Sequence, residues 1–186
     1  STVAVAANAQ QAVKIARIGY LSTGLTVSGL QDAFRQGLRD LGYVEGRNVV
    51  IEYRDAEGKL DRLPALASAL VAREVDVILT GGQAQALAAK QATRTLPIVF
   101  AQAANPVESG LVASLARPGG NVTGTAVLSP ELVGKRLELL TQAVPGVSRV
   151  AVLRLSGALG ERVEKDMLNQ ADVAARALGV RLQFVE

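Results

Sequence analysis

The sequence predicts an α/β fold: a parallel sheet wound on both faces by helices. Three observations predict it. Short apolar runs of strand length alternate with segments of helical periodicity along the 186 residues. Hydrophobic residues make up 49% of the chain but aromatic ones only 3%, so the core is built from Ala, Val, Leu and Ile, which suits a sheet covered by helices on both sides. Two of the buried-strand patterns, Val75-Asp-Val-Ile-Leu79 and Pro97-Ile-Val-Phe100, each end in a small polar loop that opens a helix. In an open parallel sheet such loops lie at the carboxyl edge, where helix amino termini present unpaired N–H groups to a small polar or anionic ligand.

The elements follow in order. Lys14 to Leu21 reads as a strand, and Val27 to Leu41 as a helix, since Leu30, Phe34, Leu38 and Leu41 recur at helical spacing and Gly42 stands at the left-handed C-cap position. Asn48 to Tyr53 is the next strand. Leu60 to Arg73 is the next helix, with Pro64 tolerable in its first turn. The Val75 strand, a helix over Gln83 to Thr93, the Pro97 strand and a helix over Pro106 to Leu115 continue the alternation. Asn121 to Val127 supplies a fifth strand and the expected hinge, with Gly124 able to absorb backbone rotation. Ser129-Pro130-Glu131 reads as an N-cap, a Pro at N1 and an acidic first turn for a helix running to about Ala143.

From Arg149 the pattern starts over. Arg149-Val-Ala-Val-Leu153, a loop, a helix ending Leu178-Gly179-Val180 and Arg181-Leu-Gln-Phe-Val185 echo Arg17-Ile-Gly-Tyr-Leu21 and the helix ending Leu41-Gly42-Tyr43. The expected organisation is a leader over residues 1–13, a first α/β lobe over 14–127 and the start of a second over 128–186. Two strands and one helix bury too little to order themselves, so the second lobe is expected to be incomplete and to be ordered by docking.

Composition excludes several function classes. There is no cysteine and no histidine, which removes disulfides, thiolate nucleophiles, most zinc sites and the commonest general base. No compact cluster of paired carboxylates or Ser-Lys dyad appears, so no catalytic residue, cofactor or metal is assigned. The formal charge is +3, from 20 basic and 17 acidic residues spread along the chain, and no basic tract marks a nucleic-acid surface. Dinucleotide and P-loop glycine motifs are absent, and the strand ends lack the acidic cluster of a phospho-receiver. Ala7-Asn8-Ala9 reads as a signal-peptide cleavage site after small apolar residues, so export is expected. With no Cys after that site and no apolar run of membrane-spanning length, the expectation is a soluble periplasmic protein, not a lipid-tethered or inserted one.

The candidate binding residues sit on the strand-end loops. Gly81 and Gly82 have no side chains to bar a ligand carboxylate from backbone N–H groups, and Thr80 and Gln83 can add hydrogen bonds beside the helix dipole. The same pair could simply turn a strand into a helix. Ser22 and Thr23 could bond the ligand or cap the following helix, and Asn105 before Pro106 reads as an N-cap that leaves adjacent N–H groups free for a ligand.

Four phrases carry a resemblance: Phe34 to Asn48, Ala88 to Phe100, Gly110 to Gly124, and Gly134-Lys-Arg-Leu-Glu-Leu-Leu140. Over Ile15 to Glu186 the chain resembles the ABC-transporter substrate-binding protein family related to the tryptophan and tyrosine uptake receptors. The resemblance implies the type I periplasmic-binding fold, with a flavodoxin-like lobe on each side of the ligand and delivery to an ABC permease in the membrane. It implies ligand contacts at Ser22, Thr23, Thr80 to Gln83 and the turn from Gln102 to Asn105. The chain departs from the family at Asn105-Pro-Val-Glu108, where Asp-Pro-Val-Gly is usual, and at Arg154 to Leu159, where an Asn-Pro loop is usual. The expected function is capture of an amino acid or similar small solute by lobe closure. A cytoplasmic ligand-sensing domain of the same fold is the alternative, disfavoured because the Ala-rich leader has no room for a DNA-binding helix-turn-helix.

Overall fold

In the computed structural model the described residues are 15–24, 29–127, 132–156 and 161–186. The leader, the first residues of the expected Val27 helix and the Ser129-Pro130-Glu131 cap lie outside them. Strand β1 (Ala16–Ser22) pairs in parallel with β2 (Val49–Asp55), setting Ile18 opposite Ile51, and its other edge takes β3 (Val77–Thr80), setting Tyr20 opposite Leu79. Strands β4 (Ile98–Ala104) and β5 (Val122–Val127) follow in parallel, giving the order β2-β1-β3-β4-β5. This is the flavodoxin-like order, with its topological switch between β1 and β3.

Alternation along the strands gives each sheet face its own core. On one face Tyr20, Val49 and Ile51 meet Phe34 and Leu38 of helix α1 (Leu30–Asp40). On the other, Leu21, Ile78 and Ile98 meet Leu70 and Ala67 of α2 (Leu63–Ala72) and Ala86 and Ala89 of α3 (Gln83–Ala92). A short 3-10 turn, Leu60–Arg62, leads into α2, and Pro64 falls in its first turn. Gly19 lets α2 lie close: a Cβ there would sit 3.1 Å from both Leu70 methyls.

Helix α1 closes as its sequence predicts. Gly42 adopts φ +83°, its N–H donates to Arg39 O, and Tyr43 N–H donates to Leu38 O at 2.8 Å, a Schellman motif. The same pair of bonds ends α5 (Glu161–Leu178), through Gly179 at φ +69° and Val180 N–H donating to Ala175 O. The sequence echo is therefore an echo of geometry.

One expected element is not there. Residues 106–115 form turns, not a helix, so β4 connects to β5 through an irregular crossover. Asn105 caps nothing: it takes φ +50°, and its Nδ2 donates to Glu108 instead. Gly110 in mid-segment weakens helical propensity, and Leu111 and Val112, adjacent rather than a helical turn apart, are both buried in the core. Both of their N–H groups donate to Pro106 O, and Lys90 Nζ donates to the carbonyls of Gly110 and Leu111. Packing of two neighbouring apolar side chains has overridden the capping pattern.

The second unit holds α4 (Val133–Ala143), β6 (Arg149–Leu153), α5 and β7 (Arg181–Val185), the strands parallel with Val150 opposite Leu182. Its buried centre is small, Leu137, Ala175 and Val180, and Leu153 is 81% exposed. No helix among the described residues is long and apolar enough to cross a membrane.

Candidate functional site

The carboxyl ends of β1, β3, β4 and β5 open into one cleft of about 730 Å3. Its polar wall is the β3–α3 turn. Thr80 is fully buried, with Oγ1 donating to Gly82 O at 3.4 Å. Gly82 is the N-cap of α3 in extended backbone, with no side-chain cap, and the first helical bond runs from Ala86 N–H to Gly82 O. The first residues of α3 thus line the cleft with no capping side chain on their N–H groups, which carry the positive end of the helix dipole.

Neither Gly81 nor Gly82 needs a left-handed conformation; what glycine supplies is space. A Cβ on Gly82 would lie 3.1 Å from Gln85 Oε1 and one on Gly81 3.8 Å from Gln85 Nε2, so Gln85 lies across this turn. Gln83 is 2% exposed, and among the described residues neither its Nε2 nor its Oε1 has a hydrogen-bond partner. Burying an amide donor and acceptor unsatisfied costs about 1–3 kcal/mol for each group, so Gln83 is a native-state expense that a ligand can offset.

Strand β4 supplies the adjoining wall. Its pairing with β5 shifts register between Phe100 and Ala103, and the bulge exposes Ala101 and Gln102 on the cleft. Thr125 on β5 donates its hydroxyl to the Ala101 carbonyl and fixes the bulge. Bulges at a strand end re-aim side chains in this way.

Opposite lies an apolar wall. Tyr20, Leu30, Phe34 and Leu79 line it, the Tyr20 ring centroid standing 5.8 Å from that of Phe34 and 5.6 Å from that of Tyr53. Burial, then the neighbouring Tyr53 and Asp55, push the Tyr20 phenol above its ordinary value of 10.0 and keep it neutral. The second unit closes the far side with Arg136 of α4, Leu155 and Met167 of α5. Arg136 is the one charged side chain on the cleft wall among the described residues.

Of the residues singled out from sequence, Thr23, Thr80, Gly81, Gly82, Gln83 and Gln102 stand together on this cleft, and Ser22 and Asn105 do not. Ser22 is buried at the end of β1, where its hydroxyl turns back on the chain and accepts from Gly24 N–H. The expected cap at residues 22–24 is also elsewhere, since Gly29 is the residue before α1. Asn105 lies beyond the last β4 residue and turns its amide to Glu108. Sequence reasoning missed Tyr20, Phe34, Gln85, Arg136 and Met167. Helical spacing does place Leu30 and Phe34 on one face, but only the fold shows that this face reaches past the sheet to the cleft.

The model of a family described as ABC transporter substrate binding protein matches residues 18–179. The chain belongs to that family. The tyrosine-binding protein of Clostridioides difficile (strain R20291) is 34% identical over 137 residues, which is 73% of this chain and 39% of that protein. The crystal structure of a conserved domain protein from Vibrio cholerae O1 biovar El Tor superposes with a TM-score of 0.76 at 31% identity, covering 92% of this chain and 57% of that one. An ABC domain from Streptococcus pneumoniae, solved in complex with L-Trp, gives a TM-score of 0.72 at 25% identity over 91% of this chain and 56% of that one. The chain therefore spans between two fifths and three fifths of the length of these three proteins. The fold is the type I periplasmic-binding one.

Proposed function

We propose that this chain is the extracytoplasmic solute-binding component of an ABC importer. It holds an amino acid or a similar small solute between two α/β lobes, the first over residues 14–127 and the second beginning over 128–186, and catalyses nothing. One observation carries the reading: the cleft sets an unsatisfied carboxamide beside an uncapped helix N-terminus and faces both with an apolar wall. An amino acid has the matching halves, a charged head for the turn at Thr80 to Gln83 and a side chain for Tyr20 and Phe34. The relatives named for tyrosine and solved with L-Trp make aromatic amino acids the first solutes to try.

Closure follows from differential affinity. A solute that touches Gln83 and Gln102 on one lobe and Arg136 or Met167 on the other is satisfied only when the lobes approach, so it stabilises the closed form that a permease in the membrane receives. Calorimetric titration of tyrosine, tryptophan, phenylalanine and leucine into the full-length protein from the periplasmic fraction tests the reading. Saturable binding of at least one is expected. Absence of heat with all four, or recovery of the protein only from the cytosol, would overturn it.

A further inference from the structure

We propose that Gln83 is the specificity-determining residue of the cleft, reading the ammonium and the carboxylate of an α-amino acid with one carboxamide and so rejecting solutes that carry only one of the two. This deepens the amino-acid reading above and rests on it. The carboxamide has two unfilled needs: Nε2 lacks an acceptor and Oε1 lacks a donor, on a residue 2% exposed. A lone carboxylate fills the first and leaves the second. A lone amine does the reverse. Only a head group with acceptor and donor on neighbouring atoms fills both, and a buried polar group left unpaired is what makes a site reject a near-isostere strongly.

The surroundings favour this division of labour. The cleft wall carries no Asp or Glu among the described residues, so no carboxylate competes with Gln83 Oε1 for an ammonium. The uncapped start of α3 and the guanidinium of Arg136 both favour the solute carboxylate, which places that group toward the helix and leaves the ammonium to the carboxamide oxygen.

The test crosses two ligand pairs with three forms of the full-length protein. Phenylalanine is compared with hydrocinnamate, and leucine with isocaproate, by calorimetry on wild type, Gln83→Met and Gln83→Glu. Wild type is expected to prefer the amino acid of a pair by roughly ten- to hundredfold, one charge-assisted hydrogen bond. In Gln83→Met, of similar length but without donors or acceptors, that preference should fall at least tenfold. In Gln83→Glu, which keeps an acceptor for the ammonium but loses the donor to the carboxylate, all four solutes should weaken, hydrocinnamate and isocaproate more than the amino acids. A residue that merely packs would weaken both members of a pair alike, and an unchanged preference in Gln83→Met overturns the proposal while leaving amino-acid binding intact. Wild type that binds neither member of either pair removes the amino-acid reading itself, and the proposal with it.

Discussion

Replacing Gly124 by Ala drives a methyl group into the seam between β4 and β5. A Cβ at this position would lie 2.1 Å from the Phe100 carbonyl oxygen and 2.5 Å from two carbons of the Phe100 ring. Ordinary contact begins near 3.4 Å, so the carbonyl must recede by 1.3 Å, the difference between 3.4 and 2.1. Strands lie only about 4.8 Å apart, and an opening of that size takes ladder bonds of about 2.9 Å out of hydrogen-bonding range. The ring has no escape, because Phe100 is 2% exposed. Overpacking of this kind costs about 1–3 kcal/mol, and two lost ladder bonds add about 1 kcal/mol each, for a total of about 3–5 kcal/mol. With a urea slope of about 2 kcal/mol per molar, the unfolding midpoint falls by about 1.5–2.5 M. Gly120→Ala is the control: nothing lies within 4 Å of its Cβ position, so its midpoint should stay put. The Ala101–Gln102 bulge directly follows Phe100, so solute affinity should weaken together with stability. A Gly124→Ala midpoint indistinguishable from that of Gly120→Ala would refute the close-approach argument and return Gly124 to the role of a free hinge.

Two other perturbations probe the crossover and the apolar wall. Lys90→Met keeps the aliphatic stem but removes the ammonium that bonds the Gly110 and Leu111 carbonyls, and should cost about 1–3 kcal/mol and speed hydrogen exchange at Leu111 and Val112. Unchanged exchange there would show that burial alone holds the segment. Tyr20 has a raised folded-state pKa, so the unfolded chain ionises first: its share of stability is intact below about pH 10 and is lost as pH rises through the folded value. Tyrosinate absorbance of the folded protein should therefore show one phenol lagging the unfolded chain, and Tyr20→Phe should remove that lag; its persistence in Tyr20→Phe would assign it to another tyrosine.

Some features were legible because they are local. The Gly42 and Gly179 caps follow from a glycine one step past an amphipathic run, and both form the expected bonds. The Thr80 to Gln83 turn was legible because a buried strand of four or five residues must end, and small residues mark where. The helix expected after Asn105-Pro106 failed because the capping pattern is a local preference of about 1 kcal/mol, while seating Leu111 and Val112 in the core is worth about 1.5–3 kcal/mol each. Gln102 carried no local signal, since its exposure comes from a register shift against β5, a strand that begins twenty residues later.

By itself the sequence determined the strands, the helices other than the one expected over Pro106 to Leu115, the two-sided covering of the sheet, and the absence of Cys and His chemistry. Those follow from periodicity and composition, which act between residues a few positions apart. The tertiary structure alone decided that Tyr20 and Phe34 face the same cleft as Gln83, that the Gln83 amide is left without a partner, and that Arg136 and Met167 close the far side. These depend on which strand ends lie side by side and which polar atoms lose water there, and both are set by contacts between segments far apart in the chain.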